Sequence, residues 1–161
     1  MTSTEIPPTD ATCGAADYGS EAASTWAANF LAALENRDAA ALGAMFTDGA
    51  TFRELLSLSW QFRNGVGRDE IVSVLTDDAT VAPTSLTIRA GATRAGEDSS
   101  EAFLDFTTAD GAGEGYLVLH RAGDAWAAET VLLTLASLDE FPEAVDARRP
   151  VGRAHTPIIG R

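Results

Sequence analysis

"TSLTIRAGATRAGEDSSEAFLDFTTADGAGEGYLVLHRAGDAWAAETVLLTL", Thr84 to Leu135, alternates apolar and polar residues over most of its length. A period of two sends successive side chains to opposite faces, so the stretch predicts strands and not helices. Breaks at "AGEDSS", "ADGAG" and "AGD" divide it into four strands: "TSLTIRAGATR", "SEAFLDFTT", "GEGYLVLHR" and "AWAAETVLLTL". Short glycine-bearing breaks between alternating runs read as hairpin loops. Four long strands joined by three such loops make an antiparallel meander.

Upstream the period changes. From Glu21, Trp26, Phe30 and Leu34 recur every fourth residue with Ala27 and Leu31 beside them, one apolar stripe on an amphipathic helix that ends near "ENRD". Asp38 is placed to cap a second short helix, Ala39 to Phe46, with Gly49 as its C-terminal stop. "ATFRELL" and "LSWQF" read as two short strands. "GVGRDEIVSVL" predicts a third helix, with Gly67 leading in, Asp69 and Glu70 in its first turn, and Ile71, Val74 and Leu75 as its stripe. The expected fold class is α+β: a cone-shaped, curved antiparallel sheet of four long strands plus two short ones, wrapped around three N-terminal helices. A cone has a mouth, and a ligand is expected there. The expected division is a flexible tail over residues 1–20, the cone domain over 21–137, and a polar extension over 138–161.

The bulk numbers exclude several functions. A chain of 161 residues with 45% apolar content fits one domain with one core. A formal charge of −13 repels nucleic acid and anionic membranes, so neither is an expected partner. No run of 18 apolar residues is present to span a bilayer. "MTSTEIPPTDATCG" lacks a basic start and an apolar core, so no secretory signal is expected and a cytoplasmic location is. The single cysteine, Cys13, excludes an internal disulfide and reads as a surface thiol. Two histidines on unlike segments, with no HxxE or CxxC spacing, argue against a metal. No Gly-x-Ser-x-Gly elbow supports a serine triad. "GAGEG", Gly111 to Gly115, sits between strands as a hairpin and not as a phosphate cradle, so no dinucleotide cofactor is expected. No cofactor of any kind is expected.

The helix "WAANFLAALENRDAAALGAMFTDGATF", the glycine-led helix and the meander together resemble the nuclear transport factor 2-like superfamily, which includes SnoaL-like polyketide cyclases and ketosteroid isomerase. The likeness covers about residues 22 to 137. It implies the cone fold, and it leaves function open, because this fold hosts isomerases, cyclases, dehydratases, hydrolases and non-catalytic domains. A narrower likeness is carried by "FRELLSLSWQFRNGVGRDEI" and "ARRPVG". They look like the domain found ahead of the flavin-binding part of some bacterial flavin-dependent monooxygenase-like proteins. That likeness implies a possible flavoprotein partner, although no strand–GxGxxG–helix follows in this chain.

Glu54 is the leading candidate for chemistry. The isomerase likeness implies a base four residues after the alanine of its first strand, and "Ala50-Thr51-Phe52-Arg53-Glu54" puts a carboxylate there. Phe52 and Glu54 share a strand face. In an apolar cavity Glu54 would serve as a general base beside a carbonyl; otherwise it is a structural ion-pair partner of Arg53, Arg63 or Arg68. If it is the base, Glu54→Gln abolishes turnover and leaves the melting temperature nearly unchanged. The isomerase's helix tyrosine is replaced by Phe30, which donates no hydrogen bond. Tyr116 and His120 share a face of one late strand with Val118, and either could donate to an oxyanion if that face lines the cone; His120 could equally be exposed at the hairpin end. Phe30, Phe52 and Trp60 are the expected walls, and Arg63 is placed to orient an anionic ligand or to lie on the surface. Trp26 reads as core. Asp105 leans outward, and His155 lies in the extension. The expected function is a small-molecule-binding, cofactor-free isomerase, cyclase or dehydratase acting on an apolar carbonyl metabolite, as a homodimer paired through the sheet. The rival is a non-catalytic accessory domain of a flavin-dependent monooxygenase.

Overall fold

The amphipathic run around Trp26 forms a longer helix than its periodicity marks. In this computed structural model, which describes residues 13–96 and 98–141, α1 spans Cys13–Glu35 and so begins eight residues before Glu21. Ala23, Trp26, Ala27, Phe30, Ala33 and Leu34 form its buried stripe, at the three- and four-residue spacing of one helix face. The segments before Cys13 and after Phe141, His155 among them, lie outside the described residues.

The turn after α1 follows from Asp38. Its Oδ1 accepts from the N–H of Ala40 (3.1 Å) and Ala41 (3.0 Å) and starts α2 (Ala39–Ala44). Asp38→Ala is expected to cost about 1 kcal/mol and to lower the melting temperature by about 2–4 °C, read by thermal unfolding. Gly49 does not stop this helix. The helix ends at Met45, whose carbonyl is taken by the Trp26 Nε1–H (3.1 Å) and by the Ala128 N–H (2.8 Å). The chain therefore passes directly into β1 (Phe46–Leu55), and Gly49 lies at the register break between Phe46 and Thr51.

"LSWQF" is not a strand. Residues 56–61 form a loop, and pairing resumes only at β2 (Phe62–Val66). The Leu58 N–H that a ladder would use is claimed by the Glu54 carboxylate at 2.8 Å. Leu56 and Trp60, at φ 60° and 56°, turn the chain through the left-handed region. α3 (Arg68–Thr76) follows Gly67, whose φ of 82° suits a residue without a Cβ.

β3 (Ser85–Ala95), β4 (Ser99–Thr107), β5 (Gly111–Ala122) and β6 (Ala125–Leu138) are the expected meander. The sheet order is β2-β1-β6-β5-β4-β3, antiparallel throughout except for the parallel β1–β6 pair. The architecture is the expected α+β plan, a curved six-stranded sheet with helices on its inner face; α3 enters between β2 and β3. Phe52, Leu86, Leu104, Phe106, Leu117, Leu119, Val131 and Leu133 form that inner face and close over Trp26, Phe30, Leu34 and Phe46. Trp26 stacks on Phe30 at 4.7 Å and meets Phe46 edge-on at 5.9 Å. The cone is filled here by ring and aliphatic side chains.

"GAGEG" is strand and not hairpin loop: β5 begins at Gly111, and Gly111, Gly113 and Gly115 alternate onto the crowded inner face. A Cβ at Gly115 would stand 2.6 Å from the Leu132 carbonyl oxygen and 2.7 Å from Leu133 Cδ2. The β4–β5 turn is therefore residues 108–110, and the β5–β6 turn falls in the expected "AGD" as the two-residue Gly123–Asp124, with Gly123 at φ 66°. Among the described residues no helix is long and apolar enough to cross a membrane.

Candidate functional site

Glu54 does point inward. It is fully buried, and its register partners across the sheet, Leu133 on β6 and then Gly115 on β5, are inner-face residues. Its carboxylate is already occupied. Oε1 accepts from Arg63 Nε at 2.7 Å and from the Ser59 hydroxyl, and Oε2 accepts from the Leu58 N–H at 2.8 Å. Three of about four acceptor positions of a carboxylate are thus filled.

Arg63 is equally engaged. Its side chain is only 15% exposed; Nη2 donates to the Val74 carbonyl (2.9 Å) and the Thr80 hydroxyl, and Nη1 lies 3.3 Å from Asp77. Thr80 in turn donates to Val74 O at 2.7 Å. The cluster ties β1, β2, α3 and the segment after α3 into one network. It holds the 56–61 loop in place, with Leu58 O accepting from Val81 N at 2.8 Å on the far side. Two bulky residues at positive φ are backbone strain of the kind that persists only where surrounding contacts impose it. Here those contacts are the Glu54 carboxylate on Leu58 and Ser59, the Leu56 N–H on Gln61 O at 2.9 Å and the Val81 N–H on Leu58 O. One result is that the loop and the start of β2 display Trp60 at 54% and Phe62 at 73% exposure.

The other expected residues go elsewhere. Phe30 and Phe52 are core. Tyr116 and His120 lie on the opposite, outer face of β5 from Gly115, Leu117 and Leu119, so neither shares a cavity with Glu54. Tyr116 packs on Phe103 at 5.4 Å. His120 Nε2 meets Glu129 Oε2 at 2.6 Å across the β5–β6 pair. Asp105 is also outside. Arg89 bridges it at 2.6 Å and Glu114 at 2.9 Å, and the hydrogen bond from Arg89 holds the Asp105 carboxyl below its ordinary range. Of the seven expected site residues, the structure brings only Glu54 and Arg63 into direct contact as a polar pair.

An open groove of about 1000 Å³ lies at the other end of the cone. It is framed by α1, the end of α2, the β3–β4 turn and the β5–β6 hairpin, and its walls include Trp26 and Trp126. Glu21, Asp98 and Asp124 stand around it with Arg121. Trp126 and Arg121 pair across β5–β6 on the inner face. Phe46, at the groove end of β1, is eight residues from Glu54, roughly 25 Å by strand rise. The groove and the carboxylate cluster are separate places. Sequence reasoning passed over the groove, although a signal existed: in an antiparallel meander the first and third loops share one end, and "AGEDSS" and "AGD" are both acidic.

No model of a known protein family matches the sequence, and no curated protein matches it either. Solved structures do. A cystatin-like-fold domain of unknown function from Nostoc punctiforme superposes with a TM-score of 0.59 at 18% identity, covering 80% of this chain and 82% of that one. A ketosteroid isomerase-like protein from Erwinia carotovora gives 0.57 at 18% identity, over 73% of this chain and 97% of that one. A nuclear transport factor 2-like superfamily protein from Salmonella enterica gives 0.58 at 11% identity, over 76% and 94%. At these identities the likeness defines the fold alone. The chain has the nuclear transport factor 2-like, cystatin-like fold that its helices and meander resemble.

Proposed function

We propose that the chain is a small-molecule-binding domain whose ligand occupies the groove at the hairpin end, and that Glu54 is a structural staple and not a base. One observation carries this reading. The only buried carboxylate among the described residues is closed off by three donors, while the open concave space lies at the far end of β1. A general base must come within hydrogen-bond reach of a substrate proton, and the Glu54 carboxylate is fully buried and turned to Arg63, Ser59 and Leu58 instead. The groove has the size and the mixed apolar and polar lining of ligand pockets in general.

The test is a thermal-shift screen of the full chain against a panel of neutral, acidic and basic metabolites. Hits are then measured on Thr25→Trp, which fills the groove from the exposed side of α1. We expect at least a tenfold loss of affinity in Thr25→Trp. Hits that bind Thr25→Trp normally would refute the placement.

A second reading is favoured by one feature. The motif that carries the flavoprotein likeness contains two exposed aromatics, Trp60 in the 56–61 loop and Phe62 at the start of the edge strand β2, and exposed aromatics are common anchors of protein interfaces. In this reading the domain docks on a flavoprotein through that edge. Pairing of two copies through the outer face, where Phe103, Tyr116 and Leu132 lie in register, is compatible with either reading.

A further inference from the structure

We infer that the groove takes a cationic ligand: an amine, guanidinium or quaternary ammonium group carried on an apolar body. This rests on the groove being the binding site, and adds the charge of what enters it. Three carboxylates from three elements surround the cavity: Glu21 on α1, Asp98 on the β3–β4 turn and Asp124 on the β5–β6 hairpin. None of the three carboxylates has an ion-pair or hydrogen-bond partner among the described residues. On the outer face of the sheet Asp105 and Glu114 are both bonded to Arg89, and Glu129 to His120.

Among the described residues Arg121 is the one cationic residue in the groove's lining, and its Nε is spent on the Gly123 carbonyl at 3.2 Å. Counted over the described residues, the rim carries three carboxylates against one guanidinium, an excess of two negative charges. An anionic ligand would enter against that field, and a neutral one would shield the carboxylates from water without compensating them. A cation compensates them directly. Trp126 supplies the other half of the recognition. Its indole is only partly buried, lies on the inner face and borders the groove, and indole is the best side-chain surface for an organic cation. Trp26, also in the lining, is fixed by its hydrogen bond to Met45 O and by its stack on Phe30. The wall is thus built before ligand arrives.

The probes are benzyltrimethylammonium, its neutral carbon isostere neopentylbenzene, and phenylacetate, each titrated calorimetrically into the full chain at low and moderate salt. The ammonium is expected to bind at least tenfold tighter than the isostere, with phenylacetate weaker than both. Added salt and the double variant Asp98→Asn/Asp124→Asn should each reduce that preference to threefold or less. Both positions are exposed, so this variant is expected to fold normally. Trp126→Leu should weaken the ammonium and leave phenylacetate unchanged. Equal binding of the three probes, abolished by Thr25→Trp, would keep the groove as the site and overturn its charge selectivity. Failure of all three to bind at millimolar concentration would overturn both.

Discussion

Glu54→Gln lowers the melting temperature by about 10 °C and leaves a folded protein at low temperature. The amide keeps the size of the carboxylate but loses the charge that the Arg63 guanidinium faces at 2.7 Å. Arg63 is then a mostly buried cation whose remaining acidic neighbour is the half-exposed Asp77 at 3.3 Å. Removing one partner of a buried pair costs about 3–5 kcal/mol, mostly as the penalty of the charge left behind. For a chain of this length each kcal/mol moves the midpoint by about 2–4 °C. The base reading of the same residue requires an unchanged midpoint, so one melting curve separates the two. A compensated variant sharpens the test. Glu54→Leu with Arg63→Met removes both charges, and replacing a buried pair by apolar residues is often neutral or stabilising. The double variant should recover most of the loss of the single one. It should also free the 56–61 loop, because the Leu58 N–H and the Ser59 hydroxyl lose their acceptor. Faster amide exchange at Leu58 with a restored midpoint would show that the carboxylate pins the strained backbone at Leu56 and Trp60.

The sheet was legible because its alternation is strong where burial is one-sided. Ala102, Leu104 and Phe106 face in and Phe103 faces out with Asp105, the side to which the pattern of "EAFLDF" leans. In β5 both faces read as apolar, with Tyr116 and Val118 on one side and Leu117 and Leu119 on the other. The richer chemistry of Tyr116 and His120 pointed the sequence reading to the wrong side. Glycine held the answer, since a strand places Gly111, Gly113 and Gly115 where neighbouring side chains leave no room. The 56–61 loop was hidden for a different reason. Local propensity favours strand in "LSWQF", and contacts from outside the stretch, the Glu54 carboxylate on Leu58 and Ser59 and the Val81 N–H on Leu58 O, hold the turned backbone instead. The groove is assembled from four separate elements, so no local stretch announces it.

Gly113→Val on β5 should be at least as damaging as loss of the ion pair. A Cβ at this position would run into the Phe106 ring and approach the Thr134 carbonyl oxygen to 2.5 Å. Valine adds two methyl groups to that collision. The ring could swing if space were free, but Phe106 is itself buried against the helices. The carbonyl belongs to β6, and moving it means moving the ladder that joins β5 to β6. Overpacking a well-filled core costs about 1–3 kcal/mol when side chains alone adjust, and here backbone must shift as well, so the expected loss is about 3 kcal/mol or more. Ala112→Val is the internal control. It lies one residue away on the outer face, half-buried, where a β-branched residue suits a strand and the change should stay within about 0.5 kcal/mol. The two contacts at Gly113 can also be separated. Combining Gly113→Ala with Phe106→Leu removes the ring and leaves the carbonyl, so the double variant should recover only part of the loss of Gly113→Ala. Full recovery would place the whole constraint in the ring, and the inner face of β5 could then be re-packed by side-chain exchange alone. A loss that remains when the double variant is measured against Phe106→Leu alone, which carries the cost of the missing ring, would mean that the spacing of β5 from β6 itself demands glycine.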